Sequence, residues 1–197
     1  MGDIGTKFRF LLCISNMMTF ASHLATIKTT RCGVIPYTIA NGSLYFLLTR
    51  DRITSELGDF GGGVRKSEFA LMAALREFYE ESHGIFSHIY NSANDMGNKI
   101  AIIDGSNMAI IFVPLESNWL EEAQRAFVEN PPTKKKSDEV SELVWVNEYT
   151  FTNLINGRKI SNDVLWVKIQ SFLKKSYQPK KAQVQDALRA VAVGVKA

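Results

Sequence analysis

The chain of 197 residues contains 46% hydrophobic and 22% charged residues, an ordinary composition for a folded protein with a substantial core. Its 23 Lys and Arg residues against 20 Asp and Glu residues give a net charge of only +3, so bulk charge does not indicate a general polyanion-binding protein. Two cysteines exclude a disulfide scaffold, and their lack of metal-ligand spacing fits a reducing compartment, so we predict a cytoplasmic protein.

The first 28 residues are predicted to be an N-terminal extension that is disordered or loosely helical. Within it, residues 8–25, with the basic residues Lys7 and Arg9 at their start, resemble a targeting segment, which is the weaker alternative to a cytoplasmic location. This stretch is too short and too polar to span a bilayer, because Ser15, Asn16 and Thr19 interrupt its apolar run. We therefore expect no membrane partner.

Residues 29–176 are predicted to form one domain that begins with a β-hairpin. Two β-rich runs, CGVIPYTI and LYFLLTR, flank the dipeptide Asn41-Gly42, which favours a tight turn between antiparallel strands. Residues 51–63 are predicted to be a glycine-rich loop, and residues 68–82 an amphipathic helix that ends at Gly84.

The second half of the domain is predicted to alternate strands and helices. The runs KIAIID and MAIIFVPL lack polar alternation, which predicts a strand pair buried on both faces. Asn118 predicts a capped helix that Pro131-Pro132 ends. A strand over VSELVWVN precedes two short helices, 148–156 and 161–175, and residues 177–197 are predicted to be a basic, alanine-rich tail, weakly helical or disordered.

Three glutamates share one side of the helix predicted over residues 68–82. At 100° per residue, Glu77, Glu80 and Glu81 fall within a sector of about 100°, and large apolar residues cover the opposite side. Like charges four residues apart repel, which suggests that a cation neutralises them. Carboxylates are hard oxygen ligands suited to Mg²⁺ or Mn²⁺. A solvated acidic helix face is the alternative that charge patterning alone favours.

The spacing of glycine and charged residues across this region is more specific than the glutamates alone. Gly62, Glu68 and the run Arg76-Glu77-Phe78-x-Glu80-Glu81 together resemble the Nudix box, the signature of the Nudix hydrolase superfamily. The resemblance implies an α/β (α+β) fold, a Nudix-like α/β/α sandwich with a mixed β-sheet.

The sequence departs from the family pattern at two positions. His83 stands where the pattern has a glycine and Gly84 arrives one residue late, which we expect a helix longer by one residue to accommodate. His83 is interpreted as a residue of the helix cap rather than a metal ligand, because imidazole suits Mg²⁺ less well than carboxylates do. Phe60 replaces a proline that many members have.

The resemblance implies hydrolysis of a nucleoside diphosphate linked to another moiety, with Mg²⁺ or Mn²⁺ as cofactor. It assigns metal binding to Glu77, Glu80 and Glu81, with the Gly61 carbonyl as a further ligand, and an orienting ion pair to Arg76 and Glu68. A catalytically silent Nudix-fold module that binds a nucleotide or RNA is the alternative. A homodimer is a further implication.

One more glutamate, outside the box, often completes the metal site or serves as the general base in this family. Glu139 precedes the predicted strand VSELVWVN and Glu142 lies within it; we favour Glu139, with Glu142 as the competitor. An ordinary surface charge is the alternative for both residues.

Three lysines, Lys134, Lys135 and Lys136, precede Glu139 and are predicted to contact a highly phosphorylated substrate if they are functional. Such a substrate would be a dinucleoside polyphosphate, an inositol pyrophosphate or a 5′-capped or triphosphorylated RNA. A solvated loop is the alternative. Phe60, Tyr37 and Tyr45 are candidates for base stacking, although aromatic residues at strand positions are more often core.

Overall fold

The computed structural model describes residues 29–90, 101–105, 107–132 and 138–194, with side chains described outside 101–105 and 193–194. The predictions for residues 1–28 and for Lys134, Lys135 and Lys136 lie outside these residues.

The described strands form one mixed sheet. They are β1 (Arg31–Ala40), β2 (Ser43–Asp51), β3 (Leu57–Gly58), β4 (Phe60–Gly63), β5 (Ala101–Gly105), β6 (Met108–Pro114) and β7 (Val140–Asn147). The order in the sheet is β3-β2-β1-β6-β5, with β4 paired to β1 and β7 paired to β2. The pair β1–β6 is parallel and the other pairs are antiparallel.

Helices cover both faces of the sheet, which confirms the predicted α+β sandwich. One face packs against α1 (Ala70–Glu81) and α2 (Trp119–Glu129). The other packs against the last three helices, which are α3 (Glu148–Ile155), α4 (Val167–Ser176) and α5 (Lys181–Gly194), with a 3₁₀ turn at Gln178–Lys180 between the last two.

Strand β6 shows how alternation builds two cores from one run of apolar residues. Ala109, Ile111 and Val113 join the cluster beneath α1 and α2. Ile110 and Phe112 join the cluster beneath α3, α4 and α5. Because successive strand residues point to opposite faces, a strand buried on both sides has to be apolar throughout. The prediction that this strand is buried on both faces is confirmed.

The first hairpin forms as predicted, but the glycine-rich segment after it differs from prediction. Asn41 and Gly42 both have positive φ, 50° and 76°, as a two-residue hairpin turn requires. Residues 51–63 are more than a loop: Gly61 pairs with Gly33 and Gly62 with Cys32, so this segment adds β4 to the sheet. The glycines are therefore fixed against β1.

The end of α1 corrects a second expectation. The helix stops at Glu81 and is not prolonged. His83 takes the left-handed conformation, with φ of 53°, that a glycine adopts at a helix end, and Gly84 follows with φ of 74°. The late glycine is thus accommodated by a strained histidine, and the spacing of the glutamates is unaffected.

Two helix starts also differ from the predictions. Asn118 precedes α2, but its side chain makes no capping hydrogen bond and instead donates to Glu122 Oε2 at 3.3 Å. Helix α4 begins at Val167, later than the predicted residue 161.

The chain beyond Tyr177 packs as a part of the domain. Val184 and Leu188 of α5 are buried in the second core cluster, and the Tyr37 hydroxyl donates to the Leu188 carbonyl at 2.9 Å. The apolar core thus extends past residue 176. None of the described helices has the length and apolarity needed to cross a membrane.

We expect Leu188→Ala to lower the free energy of unfolding by about 2–5 kcal/mol, because it leaves a cavity under α5. Gln183→Ala, on the exposed side of the same helix, should change it by less than about 0.5 kcal/mol. Urea unfolding of both variants tests this, and equal small effects would show that α5 does not contribute to the core.

Candidate active site

The carboxylates of α1 lie against the backbone of β4. The Gly61 N–H donates to Glu81 Oε2 at 2.9 Å. A Cβ atom on Gly62 would lie 2.3 Å from Glu77 Oε1, so only glycine leaves room for that carboxylate. The glycines and the glutamates are therefore parts of one arrangement, as their spacing predicts.

Arg76 holds the outer carboxylates in place. Its guanidinium donates to both oxygens of Glu68, at 2.9 and 3.0 Å, and also contacts Glu77, while Glu80 Oε2 lies 3.6 Å away. A further bond, of 3.1 Å, reaches the Gly63 carbonyl. The hydrogen bonds from Arg76 lower the pKa of Glu68. The predicted Arg76–Glu68 ion pair is present, and it links the start of α1 to the glycine strand.

Glu81 is in a different electrostatic situation from Glu77. Burial raises the pKa of Glu81 well above its ordinary value, and the negative charges of Asp59 and Glu77 raise it further. The Gly61 N–H and Arg31 offset this only in part. The positive charge near Glu81 is therefore too small to balance its negative charge when it is ionised.

The sequence reasoning missed a second ion pair at the site, between Arg31 and Asp59. Their side chains form two hydrogen bonds, of 2.8 and 2.6 Å, and the Asp59 side chain is fully buried. Arg31 also donates to the Gly61 carbonyl at 3.0 Å, which leaves that oxygen one lone pair. The sequence signal that could have indicated this ion pair was Asp59, the one charged residue in the otherwise apolar and glycine-rich run from Leu57 to Gly63.

Glu81 forms part of the wall of a cavity of about 580 Å³. Glu139 also lines this cavity, whereas Glu142 pairs with Arg50 at 2.6 Å on β2. The wall also includes Arg31, Trp166 and Lys168. The cavity is large enough for part of a nucleotide-sized ligand.

Phe60 is not available to a substrate, which corrects its interpretation as a stacking residue. Its side chain has no exposed surface and packs edge-on against Phe78, with ring centroids 5.2 Å apart. Tyr37 is likewise fully buried. Phe60 instead fixes α1 against the sheet.

The donors suit Mg²⁺ or Mn²⁺, but the described conformation does not gather them. Within residues 29–90, 107–132 and 138–194, no three His, Cys, Asp or Glu side chains are grouped closely enough to hold a metal ion. Glu77 is turned to Arg76 and Glu81 to the Gly61 N–H. A shared ion therefore requires the carboxylates of α1 to move towards one another.

Known structures that are similar to this chain include an Ap4A hydrolase and two MutT/nudix family proteins. An Ap4A hydrolase binary complex from C. elegans is 18% identical, covers 78% of this chain and 98% of its own, and has a TM-score of 0.43. A mutT/nudix family protein from Listeria innocua is 15% identical, covers 80% of this chain and 96% of its own, and has a TM-score of 0.42. A MutT/nudix family protein from Enterococcus faecalis is 14% identical, covers 68% of this chain and 51% of its own, and has a TM-score of 0.39.

Two of the three are named after the family whose signature resembles Gly62, Glu68 and the run from Arg76 to Glu81 in this chain. No protein-family model and no curated protein matches the chain. At these identities and TM-scores, neither a substrate nor a site residue is transferred from the similar structures.

We expect Gly33→Ala to destabilise the protein by about 1–3 kcal/mol or more. The added Cβ would lie 1.9 Å from Asp59 Oδ2 and 3.0 Å from Gly61 Cα, and Asp59 cannot yield because Arg31 holds it. Gly58→Ala is the control, since its Cβ would meet only Thr49 Oγ1 at 3.4 Å. Thermal unfolding of both variants is the measurement, and an equal effect would show that the close approach at Gly33 is not a constraint.

Proposed function

We propose that this protein is a Nudix-type hydrolase that cleaves a pyrophosphate linkage in a nucleoside diphosphate linked to another moiety, with Mg²⁺ or Mn²⁺ as cofactor. The observation that supports this most directly is Glu81, held by the Gly61 N–H in a cavity wall where two further carboxylates repel it. A divalent cation bound there would neutralise this charge.

Pyrophosphate resists attack by water because its oxygens are anionic, and a bound divalent cation screens that charge and lowers the pKa of water. In this proposal Glu77, Glu80 and Glu81 hold the cation, with the Gly61 carbonyl as a candidate further ligand. Arg76 is a positioning residue, because its contacts with Glu68 and Gly63 keep the N-terminal and middle parts of α1 next to β4.

Glu139 is the candidate general base. It lies in the wall of the same cavity as Glu81 and is exposed, so its carboxylate is accessible to water. In the proposed step it accepts a proton from the water that attacks phosphorus, and the anhydride oxygen leaves with the other phosphoryl group. Glu142 is less suited to this role because it is paired with Arg50.

One observation favours a second candidate, a Nudix-fold module that binds a nucleotide without cleaving it. Among the described residues the carboxylates do not gather around one point, and Arg76 holds Glu77 as a cation would. The two functions differ in a single measurable outcome, the release of phosphate-containing product in the presence of metal.

The test is hydrolysis of a substrate panel: ADP-ribose, NADH, diadenosine polyphosphates, oxidised dNTPs, inositol pyrophosphates and capped RNA. We expect activity with Mg²⁺ or Mn²⁺ that EDTA abolishes. Glu81→Gln should lower kcat/KM on the best substrate by about a hundredfold or more, since loss of groups that only support metal ligands already costs about 10–100-fold.

The same variant should be no less stable than the wild type when unfolding is measured in EDTA. A carboxyl whose pKa is raised in the folded state destabilises that state above its ordinary pKa, and glutamine removes this charge. Glu142→Gln, outside the cavity wall, is the activity control. Ligand binding with no hydrolysis under any metal condition would support the silent module instead.

A second prediction distinguishes the role of Gly62 from that of Gly63. Gly62→Ala places a Cβ against the Glu77 carboxylate, which can swing away, so we expect little loss of stability but at least a tenfold loss of kcat/KM. Gly63→Ala is the matched control, because its Cβ would have no neighbour nearer than Thr30 O at 4.0 Å. Similar activities for the two variants would contradict the proposed role of Glu77.

A further inference from the structure

A second cavity, of about 510 Å³, adjoins the one that contains Glu81. The two cavities share Thr30, Arg31 and Lys168 in their walls. The two cavities are therefore neighbours that meet at the Arg31 and Lys168 side chains.

The two cavities differ in charge. Five carboxylates line the first: Asp51, Glu56, Asp59, Glu81 and Glu139. The described residues that line the second include Arg31, Lys168 and Lys175 but no Asp or Glu. We call this second cavity the basic recess.

The two lysines of the basic recess form no ion pair with the described residues. Arg31 is already paired with Asp59. Across the described part of the chain, neither Lys168 nor Lys175 has a carboxylate partner within 4.0 Å. The ammonium group of Lys168 lies 5.3 Å from the centroid of the Trp166 ring, which Arg31 also approaches, at 5.1 Å.

The lysines are arranged along a line that leads away from the first cavity. Lys168, Ser171 and Lys175 lie at positions i, i+3 and i+7 of α4, all on the wall of the basic recess. At 1.5 Å per residue, Lys168 and Lys175 are about 10 Å apart along the helix axis. This spacing suits an extended anion better than a single phosphate.

We propose that the basic recess binds the part of the substrate beyond the cleaved linkage, and that this part carries further phosphates, so that the substrate is a nucleotide with a chain of three or more phosphates. This inference rests on the function proposed for the adjoining cavity. A diphosphate sugar would place neutral hydroxyls against the lysines, whereas phosphate oxygens accept charge-assisted hydrogen bonds from them.

The kinetic test compares a diadenosine polyphosphate with ADP-ribose, which has only two phosphates. The double variant Lys168→Ala/Lys175→Ala should raise KM for the polyphosphate at least tenfold, with kcat nearly unchanged, and leave KM for ADP-ribose unaltered. Lys174→Ala is the control, because this neighbouring exposed lysine lines neither cavity. An equal change in KM for both substrates, or none for either, would overturn the proposal.

A binding test remains decisive if the protein cleaves nothing. By titration calorimetry in EDTA, inorganic tripolyphosphate should bind the wild type and Lys174→Ala equally, and bind the double variant at least tenfold more weakly. No binding to the wild type, or equal binding to all three, overturns the basic recess as an anion site. Loss of hydrolysis with retained, lysine-dependent binding would count against the proposed function alone. Thermal unfolding checks that the exposed substitutions leave the fold intact.

Discussion

The candidate site depends on one steric constraint, the close approach of two backbones at Gly33 and Gly61. A Cβ on Gly61 would lie 2.6 Å from Gly33 Cα, and a Cβ on Gly33 would meet the Asp59 carboxylate. With no side chains between them, β4 pairs with β1 and offers the Gly61 N–H to Glu81. On the face that α1 covers, Gly62 leaves the room that the Glu77 carboxylate occupies, because a Cβ there would lie 2.3 Å from Glu77 Oε1.

Charge balance follows from this packing. Arg76 neutralises the outer carboxylates of α1, and Arg31 is occupied by the fully buried Asp59. Glu81 lies between these two ion pairs and has the Gly61 N–H as a polar partner. The fold therefore maintains one carboxylate in an unfavourable environment, which costs stability in the absence of a cation and is a common property of functional sites.

Features with a local cause were predictable from the sequence, and features with a distant partner were not. The hairpin turn follows from Asn41-Gly42, and the helical period of α1 places its glutamates on one side. Strand β4 was missed because glycine has little β-propensity of its own, and its pairing depends on β1, about 30 residues earlier. Helix α5 was underestimated because its alanine-rich sequence has few large apolar residues, and Leu188 becomes informative only once it is seen in the core.

Arg31 contacts both the glycine segment that the sequence indicated and the ion pair and cavities that it did not. It fixes Asp59, donates to the Gly61 carbonyl next to Glu81, and forms part of the wall shared by the two cavities. Its guanidinium also lies over Trp166, whose ring the Lys168 ammonium group approaches as well. A phosphate bound in the basic recess, as proposed, would therefore contact a lysine next to the residue that positions the glycine strand. Because such a contact lies away from the bond that breaks, it is expected to be equally strong before and during the reaction, and so to lower KM while leaving kcat nearly unchanged.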